Sequence, residues 1–483
     1  MDIMKTPLVG EQRKVLSLPR YSHVLIKGVA GSGKTTIALY RAVQLAKLDQ
    51  LNLFSENKKR YLTIIFSFNK ALSKYTEQLI NGSPETEGVE ITNFHKWVYR
   101  FFEDSSQNPL SRTAKGSGQR LFVQQAIQKV KEMSSNAAFL NKEVDFFIEE
   151  ISFMKGRMIN SLSDYIESDR TGRGRAVQKE QRKLIWSVFQ SYQEILDKYD
   201  MVDFDDYAIF ALKKIDEKSS DVFFNNLIID ECQDFSKAQV AFLLKLLPKE
   251  NNSVTIIADA AQQIYKRGFS WKDLGLSIQG KSIELKKNYR NARSIALAAN
   301  SLLQNDPNAK QYTKIEMIDG DGDGLYKPTL CELHSIEHEV KFVVSNIARV
   351  KEHNSKLSIC VLHRNHQGLD KFIKPIKNEG FEIFLLKDIA GVDFEDESIK
   401  LATMSSIKGL EFDIVIVTGL DAETLPNPIG FSEPNDPVHV DTERRLLYTS
   451  MTRAKKELVM TYVNNPSRYI AEIDGSYLNI EDC

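Results

Sequence analysis

Short apolar, β-branched runs alternate along this chain with stretches whose apolar residues recur every three and four positions. That alternation predicts an α/β fold, parallel sheets with helices on both faces. Strands are expected at Val24 to Lys27, Leu62 to Phe66, Leu227 to Asp230 and Val254 to Ala258 in one lobe. A second lobe is expected from Ser358 to Leu362, Leu401 to Met404, Ile414 to Thr418 and Leu458 to Tyr462. Between Trp97 and Val202 the period is helical, as in Leu121 to Val130 and Leu184 to Leu196, so a helical subdomain is expected as an insertion into the first lobe.

Candidate chemistry sits at the ends of the predicted strands. Gly28 to Thr36 read Gly-Val-Ala-Gly-Ser-Gly-Lys-Thr-Thr between the run Val24-Leu25-Ile26 and a helix-forming stretch. Glycines there let successive backbone N–H groups point at phosphate oxygens, and the following helix N-terminus adds partial positive charge. Gly28, Ala30, Gly31, Ser32, Gly33, Lys34, Thr35 and Thr36 are therefore candidate nucleoside triphosphate contacts. Lys34 is expected at the β and γ phosphates and Thr35 at Mg²⁺. Leu227-Ile228-Ile229 leads into Asp230-Glu231, which places Asp230 to orient a hydrated Mg²⁺ and Glu231 to polarise an attacking water.

With these segments the chain resembles the UvrD/Rep-like superfamily I helicases, and the resemblance extends from residue 12 to residue 455 in the family's order. It implies an α/β fold of two RecA-like P-loop lobes with a helical insertion in the first, an ATP hydrolase using ATP and Mg²⁺, and DNA as partner. Met201 to Tyr207 resembles the segment by which the family's chain re-enters the first lobe, so the expected units are 1–103 and 200–283 for the two parts of the first lobe, 104–199 for the insertion and 284–483 for the second lobe. Gln12 resembles the glutamine that reads the adenine edge. Gln262, in Asp259-Ala260-Ala261-Gln262, stands in the place of the γ-phosphate sensor. Lys287-Asn288-Tyr289-Arg290 matches the motif whose tyrosine stacks on adenine and whose arginine reaches the γ-phosphate. Thr403 to Phe412 resembles the fifth motif, with Thr403 toward the nucleic acid and Glu411 toward the nucleotide. Arg444 to Lys455 resembles the sixth, with Arg453 as a second arginine finger. Phe68 and Asn69, and Thr92, Phe94 and His95 in Ile91-Thr92-Asn93-Phe94-His95-Lys96-Trp97, fall in segments that line the family's single-strand path, where aromatic faces stack on bases. Trp271 is a candidate stacking or wedge residue, a core position being the alternative. The chain departs from the family pattern at Ala258, at Ser405 and in the Phe68-Asn69 segment.

The resemblance implies a translocase moving 3′ to 5′ on single-stranded DNA and separating tailed duplexes. Placing arginines on a second lobe makes hydrolysis depend on closure, and closure moves one nucleic-acid grip against another. Only some forty residues separate Arg364 from Thr403, so the family's second insertion is expected to be missing. That compactness keeps a second reading open, a nucleotide-gated DNA-sensing subunit that licenses a separate effector such as a nuclease in repair or antiviral defence.

Composition narrows this little. A net charge of −1 excludes a uniformly basic DNA-coating protein but not a local phosphate-binding groove. Four cysteines without Cys-x-x-Cys spacing suggest neither disulfides nor zinc. A start without an apolar leader and the lack of any run near about 18 apolar residues imply a cytoplasmic protein with no membrane partner. Fewer than thirty residues follow Lys455, too few for a fused nuclease.

Arg170, Arg173, Arg175, Lys179, Arg182 and Lys183 form a basic run that is either a phosphate-holding loop or a solvated face. Asp319-Gly320-Asp321-Gly322-Asp323-Gly324 mimics a calcium loop but has Leu330 at the twelfth position, and is expected to be a polar turn. His334-Ser335-Ile336-Glu337-His338 mimics a metal-binding string, but the apolar spacing from Val340 to Val350 predicts a helix packed on the second lobe.

Overall fold

The structure is a computed structural model that describes residues 7–51, 63–68, 70–80, 84–103, 108–134, 138–170, 177–217, 223–248, 253–259, 271–278, 280–307, 309–312, 314–317, 327–386, 393–394, 396–427 and 437–482. Asn69, Gln262, the Asp-Gly repeat and the centre of the basic run lie outside the described residues.

The first sheet contains β1 (His23–Gly28), β2 (Thr63–Ser67), β3 (Val89–Asn93), β4 (Asn226–Ile229), β5 (Ser253–Ala258) and β6 (Ser282–Leu285). Its order is β3-β2-β4-β5-β1-β6, and every pairing is parallel. β2 and β4 are buried along their whole length because helices cover both faces, which is why they read as unbroken apolar runs. α1 (Lys34–Leu51) follows β1, α2 (Lys70–Ile80) lies between β2 and β3, and α3 (Phe94–Phe101) follows β3. Because β4, β5 and β1 are neighbours, their carboxyl ends carry Asp230, Asp259 and the phosphate loop to one edge of the sheet, where α/β folds bind ligands.

Four helices follow: α4 (Ser117–Met133), α5 (Val144–Arg157), α6 (Leu162–Glu167) and α7 (Lys179–Lys198). They enclose a core of their own, with Val123, Ile127, Phe147, Ile151, Ile185 and Tyr192 buried in it. α8 (Asp206–Glu217) and α9 (Lys237–Leu244) return the chain to the first lobe. The joint is polar and buried. Lys155 of α5 lies 2.8 Å from Asp203 and 2.7 Å from Asp206, and the Tyr192 hydroxyl donates to Asp203 at 2.9 Å. Charges out of water must be paired, so this cluster fixes how the insertion meets the lobe. Two members of the basic run are structural here rather than free for phosphates. Arg170 pairs with buried Glu150, and Arg182 donates to the carbonyls of Tyr165, Ile166 and Ser168.

A short pair, β7 (Lys287–Asn288) with β8 (Glu316–Met317), and α10 (Arg293–Leu303) lead into the second lobe. That lobe comprises β9 (Thr329–Leu333), α11 (Ile336–His353), β10 (Ile359–His363), α12 (His366–Asn378), β11 (Ile383–Leu385), β12 (Ile399–Thr403), β13 (Phe412–Val417), α13 (Pro437–Met451), β14 (Ala454–Val463) and β15 (Asn479–Asp482). The order is β11-β12-β10-β13-β14-β9-β15, again all parallel. α10 and α13 cover one face, α11 and α12 the other. The histidine pair therefore opens a packing helix: Ser335 caps α11, and Val343, Ile347 and Val350 are buried.

Candidate active site at the lobe seam

Backbone geometry builds the phosphate loop. Gly31 and Gly33 sit at φ +76° and +80°, and a Cβ at these positions would fall 2.2 Å from Asn288 Oδ1 and 2.5 Å from Gln12 Nε2. Only glycine satisfies both the left-handed backbone and the close approach. Gln12 is bound to the loop through Nε2, which donates to the Ser32 carbonyl at 3.0 Å, and its Oε1 accepts from Val9 N at 3.1 Å. Tyr289 N donates to the Gly31 carbonyl at 2.8 Å, and its hydroxyl accepts from Glu11 N at 3.4 Å. Gln12 and Tyr289 thus flank one end of the loop. Ala30 is buried in the seam and Thr36 lies in the first turn of α1.

Lys34 Nζ is held at 3.0 Å by each of three oxygens, the carbonyls of Gly28 and Val29 and the carboxylate of Asp259. Such an oxygen shell around a buried ammonium is what phosphate oxygens would replace, so the loop fits a nucleotide. Thr35 Oγ1 donates to Asp230 Oδ2 at 3.0 Å. A hydroxyl and a carboxylate so placed are the hard oxygen donors that suit Mg²⁺, and the site fits that ion.

Asp230 and Glu231 diverge in charge. Burial, and then the neighbouring Glu231, push the Asp230 carboxyl up to about 7. Burial acts on Glu231 in the same sense, but Lys408, Lys34 and Arg453 outweigh it and hold that carboxyl below its usual range. Glu231 adopts φ 52°, a left-handed conformation unusual for a side chain with a Cβ, and Gln233 Nε2 donates to its Oε2 at 2.5 Å. Gln233 Oε1 accepts from Asp259 N at 3.1 Å, which ties the ends of β4 and β5 together. A stability prediction follows from Asp230. Its folded value lies above the unfolded 3.8, so its contribution is present below pH 3.8 and lost as pH rises through about 7. In metal-free protein at pH 8, Asp230→Asn is expected to raise the unfolding free energy by roughly 2 kcal/mol, with the gain vanishing toward acid pH. Urea titrations at pH 5 and pH 8 in a chelator test this, and equal effects at both would refute it.

The second lobe supplies cations to the same seam. Arg290 pairs with Glu411, whose other oxygen takes Lys455 Nζ at 3.1 Å. Burial opposes the Glu411 charge, but Arg290 and Lys455 prevail and draw its carboxyl down to about 2. Arg453 is 1% exposed and donates from Nε to the Thr449 carbonyl at 3.0 Å and from Nη1 to the Leu410 carbonyl at 3.4 Å. Burial, reinforced by Arg290, lowers it to about 10, still well above neutrality. Lys408 lies 2.6 Å from Asp234 across the lobes, a buried pair. Tyr448 of α13 is buried in the same core cluster as Ala30 of the loop. A cavity of 390 Å³ opens at this junction, bounded by Lys27, Gly28 and Asp259 on one side and Leu303, Tyr312 and Tyr448 on the other.

The expected strand path is only partly assembled. Thr92 and Phe94 are both 1% exposed, and Phe94 packs edge-on to Phe242 in the first-lobe core, so it presents no face for a base and the stacking assignment is corrected. Thr403 is buried as well, its hydroxyl 3.0 Å from that of Ser406. Phe68 and Trp271 are half-buried against the first-lobe core. His95 makes edge contacts with Phe204 and Tyr207 at 5.1 and 5.5 Å. Phe204, at 43% exposure, is the aromatic that this cluster offers to solvent. On the sequence, Phe204 belongs only to the segment Met201 to Tyr207 that returns the chain to the first lobe, with no sign that it is a base contact. The partnership of Asp234 with Lys408 was likewise missed, since 174 positions separate the two.

Comparison with known proteins agrees with this geometry. The UvrD/REP helicase N-terminal domain matches residues 8–271, and the UvrD-like helicase C-terminal domain matches 283–394 and 386–465. A probable DNA helicase of Mycoplasma pneumoniae is 22% identical over 98% of this chain and 88% of its own length. DNA helicase II of Haemophilus influenzae is 26% identical over 74% of this chain, and the ATP-dependent DNA helicase PcrA of Leuconostoc citreum 25% identical over 71%. The chain spans about half the length of these last two, 48% and 45%. With matched domains on both lobes and the nucleotide loop facing the second-lobe arginines across one seam, the chain belongs to the UvrD/REP family of ATP-hydrolysing DNA helicases.

Proposed function

We propose that this chain is an ATP-driven motor that moves 3′ to 5′ on single-stranded DNA and separates tailed duplexes. The observation that carries the reading is the convergence of Lys34, Thr35, Asp230 and Glu231 from one lobe with Arg290 and Arg453 from the other. Lys34 exchanges the Asp259 carboxylate and loop carbonyls for phosphate oxygens. Thr35 and Asp230 would hold Mg²⁺, and the bound ion would neutralise phosphate charge. Glu231, kept ionised by surrounding cations, orients the attacking water and accepts its proton. Arg290 and Arg453 stabilise the charge that spreads over the transferred phosphoryl group. Gln12 and Tyr289 seat the base.

Coupling to DNA follows from the seam. Because the arginines belong to a second lobe, bound ATP favours the closed arrangement that hydrolysis requires, and loss of the γ-phosphate releases it. The strand path runs past the His95-Phe204-Tyr207 cluster, where the exposed ring can stack on bases of any sequence.

The experiment is unwinding of 3′-tailed against 5′-tailed duplexes by the purified chain with ATP and Mg²⁺, alongside hydrolysis with and without single-stranded DNA. Unwinding of the 3′-tailed duplex only and DNA-stimulated hydrolysis are expected. Turnover indifferent to DNA would remove the motor reading, and a preference for 5′ tails would reverse the polarity. Hydrolysis without unwinding, restored by an added effector protein, would favour the regulatory subunit instead.

A further inference from the structure

The first-lobe helix α2 begins directly after the Phe66-Ser67-Phe68 segment, yet one side of it reaches the second lobe. Leu72 closes on Gly409, where a Cβ would fall 2.7 Å from the leucine Cδ2. Gln78 Oε1 accepts from Phe394 N at 3.2 Å. Between them, Tyr75 packs against the cores of both lobes and sets its ring edge-on to Phe394 at a centroid distance of 5.4 Å. Its hydroxyl ends 3.5 Å from Glu411 Oε1. Glu411 is the carboxylate that holds Arg290.

We propose that Tyr75 is a positioning residue that links α2 to the arginine finger Arg290 by sharing Glu411 with it. The inference rests on the reading of Arg290 as a group that acts on the nucleotide. Arg290 holds Glu411 Oε2 through Nε, and a guanidinium drawn toward a phosphate oxygen weakens that hold. A buried carboxylate that loses a cation resists that step unless other donors remain. Two do: Lys455 Nζ at 3.1 Å, from the same lobe, and the Tyr75 hydroxyl, from the opposite one. The phenol is a donor at every working pH, because burial, and then Glu411, push its ionisation far above the ordinary value. At 3.5 Å the bond is long, with room to shorten as Arg290 leaves. Tyr75 can supply it only while the lobes are closed, so a displacement of α2 by a bound strand alters how readily the finger is released.

Tyr75→Phe tests this, since it deletes the hydroxyl and keeps the ring against Phe394. With saturating single-stranded DNA, kcat for ATP hydrolysis is expected to fall about five-fold, the loss typical of one hydrogen bond, with KM for ATP unchanged. In a Glu411→Gln background the same change is expected to cost less than about two-fold, because residues acting through one partner are not additive. A Tyr75→Phe chain with wild-type kcat, or a loss that adds in full to that of Glu411→Gln, would overturn the proposal. Arg290→Lys in the same assay separates the two layers. If it hydrolyses ATP at the unaltered rate, the reading of Arg290 falls. If it is crippled while Tyr75→Phe is not, only the role of Tyr75 falls.

Discussion

Arg453→Ala is expected to lower DNA-stimulated ATP hydrolysis by roughly 10³-fold or more, the range an arginine finger supplies to phosphoryl transfer. The size of the effect follows from where the guanidinium is kept. It is sealed in the seam at 1% exposure, aimed by the carbonyls of Thr449 and Leu410, and remains charged at working pH despite a value lowered to about 10. A charge already desolvated and oriented needs no reorganisation when negative charge develops on the phosphoryl group. Arg453→Lys keeps the charge but loses the planar fork, so an intermediate loss is expected. Nucleotide affinity, read by equilibrium titration with a fluorescent ATP analogue, should change only a few-fold, because Lys34 and the loop remain. Turnover within ten-fold of the unaltered chain, in an Arg453→Ala protein that melts normally, would show that this arginine does not act on the reaction.

Much of this arrangement was legible before the fold was known, for a physical reason. Buried parallel strands must be apolar on both faces, so β1, β2, β4, β5, β10, β12, β13 and β14 announce themselves as short apolar runs, and the loops after them carry the chemistry. The strands that escaped lie toward the edges. β6 has Ser282 and Glu284 exposed, and β15 is exposed throughout, so neither carries an apolar run. β3 and β9 are short and partly polar, and a five-residue segment of that kind is ambiguous without its neighbours.

The site divides in the same way. Residues close in sequence and tied to a strand end, such as Lys34, Thr35, Asp230 and Glu231, could be placed at one edge of the sheet from local pattern. Long-range partnerships could not: Lys34 with Asp259, Asp234 with Lys408 and Tyr75 with Glu411 exist only because two lobes close on one another. The nucleic-acid residues were the least legible. An aromatic in a motif may face the core or the ligand, and a choice of one residue along α3 decides which. Phe94 turns inward onto Phe242, and His95, one position on, turns toward Phe204.

Asp234 and Lys408 form a buried ion pair across the seam. Lys408→Met retains most of the side-chain volume but removes the charge, leaving the fully buried Asp234 without this cation, and loss of a partner from a buried ion pair costs about 3–5 kcal/mol. The urea midpoint should drop accordingly. The same substitution reaches the chemistry, because Lys408 is the strongest of the cations that hold Glu231 below its ordinary value of 4.5 against the effect of burial. A depressed carboxylate contributes stability above its unfolded value and loses it as pH falls through the folded one. Without Lys408, burial acts with less opposition and the Glu231 carboxyl rises, so a group that must be ionised to accept a proton becomes protonated at higher pH. The acid limb of kcat against pH should therefore move upward by at least about one unit, each unit being worth about 1.4 kcal/mol of lost interaction. Lys408→Arg, which restores the charge, should return the limb toward its original position. An unshifted acid limb in a folded Lys408→Met protein would mean that the second lobe does not set the ionisation of Glu231, and that the proton acceptor works independently of lobe closure.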